Sequence, residues 1–207
     1  MENNYALYLV TDTGICPREN LLTCVEEAIL GGVTMVQLRE KEISSRDFYE
    51  EAAALKKITH KYQVPLIIND RLDIMLAVDA DGLHIGQSDI PASVARRLIG
   101  GNKILGLSAG NLSAAQQAKL DGADYLGVGA VFPTATKQDA KFIGTETLKE
   151  IKKAVALPIV GIGGIKKENI DALYGSGIDG VAVVSAIMGS DDPRSAAVNL
   201  RACVKNF

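Results

Sequence analysis

A glutamine and two cationic residues, Gln37, Arg39 and Lys41, occupy alternate positions at the end of an apolar run. If this run is an extended strand, the three side chains share one face, because side chains along a strand alternate with a period of two. A planar guanidinium, an ammonium and an amide on one face suit an anionic ligand such as a phosphate or a diphosphate. The competing interpretation is a polar strand end that faces solvent.

Two aspartates follow the next two apolar runs of the chain. Asn69 and Asp70 close one run, and Asp89 follows the other. Neighbouring strands lie about 4.8 Å apart, so both carboxylates can converge on one cation. Two carboxylates, completed by substrate phosphate oxygens and water, are a usual way to hold Mg²⁺. Each aspartate alone is explained as well by a helix cap or a turn, and it is the pairing that favours a metal.

Further hydrogen-bond donors follow the fifth and sixth apolar runs. Ser108 ends the fifth run, where it can either donate to a phosphate or cap the next helix. The longest polar loop, residues 132–144, follows the sixth run and carries Thr134, Thr136 and Lys137. A loop of this length in a compact domain is often a lid that excludes water from a site. A solvated loop without a role is the alternative.

Glycines after the seventh run and a Val-Ser pair after the eighth indicate a phosphate site. Gly163 and Gly164 stand after one strand, and Val184 and Ser185 after the next. Glycines allow backbone N–H groups to approach an anion, and a helix N-terminus favours negative charge. The alternative is that the glycines serve tight packing.

Histidine and cysteine usage excludes several kinds of site. There are two histidines and three cysteines in 207 residues. A histidine-rich metal site is therefore excluded, and His84 is predicted to be a packed, hydrogen-bonded core residue. Cys16, Cys24 and Cys203 lack metal or redox spacing, so we expect reduced thiols that act as small apolar residues.

Eight short apolar runs alternate with segments of helical periodicity along the whole chain. The predicted strands are residues 6–10, 34–39, 65–69, 82–85, 104–107, 125–128, 158–162 and 180–184. Ser44 and Asp47 resemble a capping box, and Gly31-Gly32 is predicted to close the first helix. A similar Asp-containing turn precedes three strands, at Asp81, Asp124 and Asp179.

Eight such units in 207 residues, about 26 residues each, predict a (β/α)8 TIM barrel of the α/β class. We expect one domain over residues 1–207 with few insertions. The rival is a doubly wound open sheet, which would carry a Gly-rich phosphate loop after the first strand, whereas residues 11–14 read TDTG. Barrel active sites lie at the carboxyl ends of the strands, where all the polar residues above are found.

Composition limits the partners and the compartment. The net charge of −3 argues against a nucleic-acid partner. The N-terminus lacks the pattern of a signal peptide, and no apolar run approaches the ~20 residues that a membrane-spanning helix needs. We therefore expect a cytoplasmic protein without membrane partners.

Several motifs together resemble the thiamin-phosphate synthase family over residues 9–188. The motifs are residues 37–41 (QLREK), 69–71 (NDR), 84–89 (HIGQSD), 134–140 (TATKQDA), 163–165 (GGI) and 184–185 (VS). The resemblance implies a (β/α)8 barrel and a transferase of thiamine biosynthesis. This enzyme would join a hydroxymethylpyrimidine diphosphate to a thiazole phosphate or carboxythiazole phosphate, with Mg²⁺, and release pyrophosphate.

The resemblance also implies a role for each matched residue. The pyrimidine diphosphate contacts would be Gln37, Arg39, Lys41, Asn69, Ser108 and Lys137, of which Arg39, Lys41, Ser108 and Lys137 would be catalytic. The Mg²⁺ ligands would be Asp70 and Asp89. The thiazole phosphate contacts would be Thr134, Ala135, Thr136, Gly164, Val184 and Ser185. The family leans to a homodimer.

Rival functions share parts of this pattern. A thiazole tautomerase of the same barrel family needs no metal-assisted leaving group, and a sugar-phosphate isomerase or epimerase would share only the phosphate site. A non-catalytic sensor of a phosphate ligand could lose the metal pair. Turnover that needs Mg²⁺ and both substrates separates these alternatives.

Overall fold

The computed structural model describes residues 4–134, 142–204 and 207, and its eight parallel strands close into one barrel in chain order. The strands are β1 (Leu7–Val10), β2 (Met35–Leu38), β3 (Leu66–Asn69), β4 (Gly82–Ile85), β5 (Ile104–Ala109), β6 (Tyr125–Val128), β7 (Ile159–Ile162) and β8 (Gly180–Val183). β1 pairs with β8, which closes the sheet. The predicted TIM barrel is confirmed.

Helices follow the strands on the outside of the barrel. They are α1 (Arg18–Leu30), α2 (Ser45–Lys61), α3 (Leu72–Ala77), α4 (Ala92–Ile99), α5 (Leu112–Leu120), α6 (Gly144–Ala154), α7 (Ser185–Met188) and α8 (Pro193–Cys203). A short 3₁₀ helix, Ile170–Leu173, replaces the α-helix expected after β7. Gly175 and Gly177 follow it with φ of 72° and 75°, a conformation that cannot continue a helix. Among the described helices, none is both long enough and apolar enough to cross a membrane.

The predicted strand bounds differ from the structure by two residues or fewer. The largest difference is at β5, which continues two residues further to Ala109, and β2 ends at Leu38 instead of Arg39. The shared face of Gln37, Arg39 and Lys41 was conditional on an extended segment, but the strand ends at Leu38 and the chain bends at residues 41–43 before α2.

Local signals placed the helix ends correctly. Ser44 precedes α2, and its Oγ accepts the backbone N–H of Asp47 at 3.1 Å. Gly31 caps α1, and Gly32 after it takes a φ of 106°, the left-handed conformation common just past the end of a helix. The predicted cap and the predicted helix end are both confirmed.

Two apolar regions hold the barrel together. The larger fills the space between strands and helices, and the smaller fills the inside of the barrel. The inner region includes two buried tyrosines, Tyr8 and Tyr125, whose hydroxyls lie 2.8 Å apart. Gly106 makes room for them, since a Cβ there would lie 2.2 Å from the Tyr125 ring. The interior is therefore packed, but it carries a line of polar atoms toward the mouth.

Candidate active site

The end of β2 presents the first two predicted ligand contacts. Gln37 is 4% exposed and points into the barrel, where its Nε2 donates to the Tyr8 hydroxyl at 2.8 Å. Arg39 lies just beyond the strand, and its backbone N–H donates to Thr11 Oγ1 at 3.0 Å. Its guanidinium Nη1 lies 3.5 Å from Asp12 Oδ2. Both side chains are thus held in place by β1 and by the loop that follows it.

Lys41, Asp70 and Asp89 form one cluster at the carboxyl ends of β2, β3 and β4. Lys41 Nζ donates to Asp70 Oδ2 at 2.6 Å, and the two aspartates lie close enough for each carboxyl group to shift the pKa of the other. Asp89 Oδ2 also accepts the Gly86 N–H at 2.7 Å. Asp70 adopts a φ of 60°, which is uncommon for a residue with a side chain and occurs often at functional sites. The structure therefore brings the two predicted metal ligands together.

The two carboxyl groups of this cluster differ in acidity. Burial opposes ionisation of Asp70, but the Lys41 ammonium, with Asp89 and Asn69, lowers its pKa below the ordinary value. Burial raises the pKa of Asp89, and the charge of Asp70 adds to this effect although the Gly86 N–H offsets part of it. Two adjacent carboxyl groups, one of which has a raised pKa, could be stabilised by a cation between them.

A hydrogen-bonded chain through the barrel connects Gln37 to Ser108. Gln37 bonds to Tyr8, Tyr8 to Tyr125, and the Tyr125 hydroxyl lies 2.9 Å from His84 Nδ1. His84 Nε2 then lies 3.0 Å from Ser108 Oγ. His84 is 8% exposed and hydrogen-bonded, as expected for a core residue, but it also orients a predicted diphosphate contact.

The two interpretations of Ser108 are separated by the cap of α5. Asn111 precedes that helix, and its Oδ1 accepts the Ala114 N–H at 2.9 Å. Ser108 belongs to β5 instead, and its carbonyl accepts a hydrogen bond from Gln87 Nε2 at 2.8 Å. The helix-cap interpretation of Ser108 is therefore wrong, because the strand runs one residue past it.

Gly163 and Gly164 both adopt positive φ, of 100° and 64°. A Cβ at Gly163 would lie 2.6 Å from the Ala130 Cβ, and one at Gly164 would lie 2.4 Å from the Pro133 carbonyl. Close packing against the loop after β6 thus requires both glycines. The tight-packing alternative is therefore correct in that neither position has room for a side chain. The role of these glycines toward a phosphate stays a prediction.

Val184 and Ser185 lie at the predicted phosphate end of the site. Val184 is the residue before α7, and Ser185 opens that short helix. This is the short extra helix expected after the eighth strand of a phosphate-binding barrel. Thr134 ends the described part of the loop after β6, and Ala135, Thr136 and Lys137 lie outside the described residues.

Sequence reasoning missed the residues that support this site. Tyr8 and Tyr125 read as apolar strand residues, and their only signal was a hydroxyl within a predicted apolar strand. Thr11 and Asp12 were considered only as a loop without a glycine fingerprint. Cys16 and Cys24 are buried free thiols, as expected, whereas Cys203 is partly exposed.

The chain is similar to proteins of one family along most of its length. The family model of thiamine monophosphate synthase matches residues 7–187. The thiamine-phosphate synthase of Clostridium botulinum is 58% identical over 189 residues, which are 91% of this chain and 89% of that protein. The thiamine-phosphate synthase of Alkaliphilus oremlandii is 54% identical over 202 residues, 98% of this chain and 97% of that protein.

A solved structure supports the same relationship. The thiamine phosphate pyrophosphorylase from Pyrococcus furiosus superimposes with a TM-score of 0.91 at 42% identity and covers 98% of this chain and 96% of its own. The family model, the curated relatives and the solved structure agree, and the chain belongs to the thiamine monophosphate synthase family.

Proposed function

We propose that this chain, a transferase of the thiamine-phosphate synthase type, carries out its reaction at the mouth of the barrel around Lys41, Asp70 and Asp89. The reaction joins hydroxymethylpyrimidine diphosphate to thiazole phosphate or its carboxylated form, and releases pyrophosphate. The observation that carries this assignment is the contact of Lys41 with Asp70, whose carboxyl group interacts with that of Asp89; Arg39 precedes Lys41 by two residues. Two cations beside two carboxylates suit a diphosphate bound together with a divalent metal.

The chemistry is a dissociative displacement at the pyrimidine methylene carbon. The bond from this carbon to the diphosphate oxygen breaks, and its electron pair leaves with the diphosphate. Arg39 and Lys41 stabilise the negative charge that develops on the leaving group. The ring nitrogen of the thiazole then donates its electron pair to the resonance-stabilised cation and forms the new carbon–nitrogen bond. The carboxylated thiazole, if it is the substrate, also loses CO₂.

Little proton transfer is needed in such a reaction, which suits a site with a single histidine. His84 is buried between Tyr125 and Ser108, so its two ring nitrogens already have partners. We assign it the role of orienting Ser108 toward the diphosphate.

The residues present fit Mg²⁺. Asp70 and Asp89 offer hard carboxylate oxygens, and one of the two carboxyls has a raised pKa that a divalent cation would offset. When bound, Mg²⁺ supplies positive charge for the phosphate oxygens of the leaving group. Among the described residues there is no cluster of three or more His, Cys, Asp and Glu, so the remaining ligands would be water and diphosphate oxygens.

The thiazole phosphate is assigned to the opposite side of the mouth. Its phosphate would meet Gly164, Val184 and Ser185, and its ring would meet the loop that contains Thr134, Ala135 and Thr136. Support comes from the packing of Gly164 against Pro133, which places the glycine turn beside the start of this loop.

The test is a product assay with both substrates. Purified protein should form thiamine phosphate and pyrophosphate in the presence of Mg²⁺, and a chelator should abolish product formation. Conversion of the thiazole phosphate without the pyrimidine substrate would indicate a tautomerase instead. Binding of a phosphate ligand without turnover under any of these conditions would indicate a sensor.

Lys137, which the family resemblance places on the diphosphate, offers a separate test. Lys137→Ala should lower kcat by about 10²-fold and weaken thiazole phosphate binding far less, because a cation on the leaving group acts mainly in the transition state. An equal loss of kcat and of thiazole affinity would contradict this role.

Compartment and assembly are further parts of the proposal. We place the enzyme in the cytoplasm, where small-molecule substrates of this kind are handled and where its three free thiols suit a reducing environment. We also propose a homodimer, which sedimentation equilibrium would detect as twice the 22.0 kDa chain mass.

A further inference from the structure

The loop after β2 carries two cationic residues separated by a buried acid. Arg39 and Lys41 have side chains that are 22% and 53% exposed, whereas the Glu40 side chain between them is 2% exposed. The exposure of the three side chains therefore alternates, although β2 ends at Leu38 and the chain bends from residue 41 onward. Glu40 therefore points into the protein while its two neighbours point toward the mouth of the barrel.

Glu40 is anchored by two residues from the beginning of the chain. Thr13 Oγ1 donates to Glu40 Oε2 at 3.0 Å, and Arg18 Nη2 donates to the same oxygen at 3.1 Å. Thr13 lies in the loop after β1, and Arg18 opens α1. The carboxylate thus ties the β2 loop to the preceding βα unit.

A second buried acid lies behind the first. Glu51 of α2 has a side chain that is 8% exposed, and its Oε1 lies 3.7 Å from Arg18 Nε. Both Glu51 oxygens and Glu40 Oε1 are buried without a hydrogen-bond partner in the described part of the chain. Two carboxylates therefore share the single guanidinium of Arg18.

This arrangement is a poor way to stabilise a fold. Burial raises the pKa of Glu51 to about 7; the charges of Glu40 and Asp47 add to the effect, and Arg18 opposes it. Buried ion pairs with unsatisfied oxygens contribute less than well-packed apolar residues of similar size. The position of the cluster, directly behind Arg39 and Lys41, indicates a different role.

The loop after β1 holds the same segment at two further points. Thr11 N–H donates to the Gln37 carbonyl at 2.9 Å, and Thr11 Oγ1 accepts the Arg39 N–H at 3.0 Å. Asp12 lies 3.5 Å from the Arg39 guanidinium, while its other oxygen accepts the Gly14 N–H at 2.9 Å. Residues 11–13 thus contact both the backbone and the side chains of the β2 end.

We infer that Glu40, anchored by Thr13 and Arg18, is a positioning residue that directs Arg39 and Lys41 toward the diphosphate of the substrate. Because its carboxylate is fixed on the inner side of the loop, both neighbours are fixed on the outer side. Cations that are already in place need no reorganisation when charge develops on the leaving group. This inference rests on the proposed function, since it takes the diphosphate as the ligand of Arg39 and Lys41.

The principal test compares two glutamates of the same loop. Glu40→Gln keeps the shape of the side chain and one acceptor but removes the charge that Arg18 and Thr13 hold. Glu42→Gln is the matched control, because Glu42 is exposed two residues away. Circular dichroism and thermal unfolding would establish that both variants are folded, and kcat and both KM values would then be measured.

We expect Glu40→Gln to raise the KM for the pyrimidine diphosphate and to lower kcat, each by about tenfold, with the KM for thiazole phosphate unchanged within about twofold. The affinity for inorganic pyrophosphate with Mg²⁺, measured by calorimetry, should fall by a similar factor. Glu42→Gln should match the unmodified protein in all of these measurements. A residue that only supports the fold would not affect one substrate selectively.

Thr13→Val provides a milder variant in case Glu40→Gln does not fold. It removes one of the two donors to Glu40 and should produce the same selective change at about threefold. The inference is wrong if the folded variants keep the pyrimidine KM and the pyrophosphate affinity of the unmodified protein, or if the two KM values rise equally.

Failure of the proposed function would look different. The unmodified protein and Glu42→Gln would then form no thiamine phosphate, yet the pyrophosphate titration would still compare Glu40→Gln with its control. Weaker pyrophosphate binding by Glu40→Gln alone would support the positioning role without the proposed reaction. Absence of pyrophosphate binding by the unmodified protein would overturn both.

Discussion

The two ends of the barrel use charged residues in opposite ways. At the amino ends of the strands, acidic side chains bond to the backbone and to a cation of a neighbouring helix. At the carboxyl ends, acids and cations lie close together but share partners or leave oxygens without any. The same residue types thus serve the fold at one end and remain available to a ligand at the other.

A repeated contact closes the amino end. The aspartate directly before β4, β6 and β8 accepts the N–H of the first or second residue of the preceding strand at 2.7–2.8 Å. The three aspartates are Asp81, Asp124 and Asp179, and they pair with Lys56, Arg96 and Lys152 of α2, α4 and α6. Thr34, directly before β2, replaces the aspartate with a hydroxyl that accepts the Leu7 N–H at 3.0 Å.

The carboxyl end contains the less stable arrangements. Asp70 takes a positive φ, and Asp89 has a raised pKa beside it. Glu40 and Glu51 share Arg18, and within the described ranges of the chain they retain buried oxygens without hydrogen bonds. The acids of the amino end thus have backbone and cationic partners, whereas those of the carboxyl end include groups that the proposed metal and diphosphate would stabilise.

The largest expected effect is on kcat/KM, and it comes from comparing the same Asp→Asn substitution at the two ends of the barrel. Asp70→Asn should lower kcat/KM by about 10³-fold or more, because it removes the charge of a proposed metal ligand, while Asn tolerates the positive φ. Asp79→Asn is the control, since Asp79 has a φ of 51° in the turn before β4. In steady-state assays, kcat/KM of Asp79→Asn should stay within about twofold of the value for the unmodified protein. Equal losses in the two variants would remove the distinction between the ends.

A substitution at the amino end should affect stability instead of catalysis. Asp179→Ala leaves the buried Ile159 N–H without its acceptor and Lys152 without its partner. The free energy of unfolding in urea should fall by about 2 kcal/mol, with kcat/KM unchanged. Asp171→Ala, at an exposed position nearby, should change it by less than about 0.5 kcal/mol. A lower kcat in folded Asp179→Ala would contradict the comparison.

Thr34 tests whether the fourth member of the repeat acts in the same way. Thr34→Val removes a hydroxyl that both accepts the Leu7 N–H and donates to the Leu7 carbonyl. The expected loss in free energy of unfolding is about 1 kcal/mol, smaller than for Asp179 because no ion pair is lost. Denaturant titration would measure it. A loss larger than that of Asp179→Ala would show that the four turns are not equivalent.

The smallest expected effect is a pH dependence of stability that arises from Glu51, at the carboxyl end of the barrel. Glu51 has a pKa of about 7 in the folded protein against an ordinary 4.5, so between these values the folded state keeps a proton that the unfolded state has lost. Stability from Glu51 is therefore fully present below pH 4.5 and declines as pH rises toward 7. Glu51→Gln should remove this decline.

Relative to the unmodified protein, Glu51→Gln should gain on the order of 1 kcal/mol between pH 5 and pH 7, since solvent screening reduces the full effect of such a shift. Urea unfolding at a series of pH values would measure the difference. Glu42→Gln serves as the control, and a parallel pair of curves for Glu51→Gln and the unmodified protein would contradict the assignment.

Much of the fold and part of the site followed from local patterns. The apolar runs predicted all eight strands, because a strand buried between helices and barrel interior must be apolar on both faces. Ser44 and Gly32 predicted helix ends, because caps depend on the side chain and φ of one residue. The similar turns before β4, β6 and β8 were visible as Asp-containing repeats, although their hydrogen bonds were not.

The sequence by itself determined the order of the strands and the end of the barrel at which each polar residue lies, since chain direction and strand position suffice for both. Only the tertiary structure decided that Glu40 turns inward to Thr13 and Arg18, and that His84 joins Tyr125 to Ser108. These contacts join residues 22 to 41 positions apart. They exist because the closed sheet fixes the register between strands, and no local spacing determines that register.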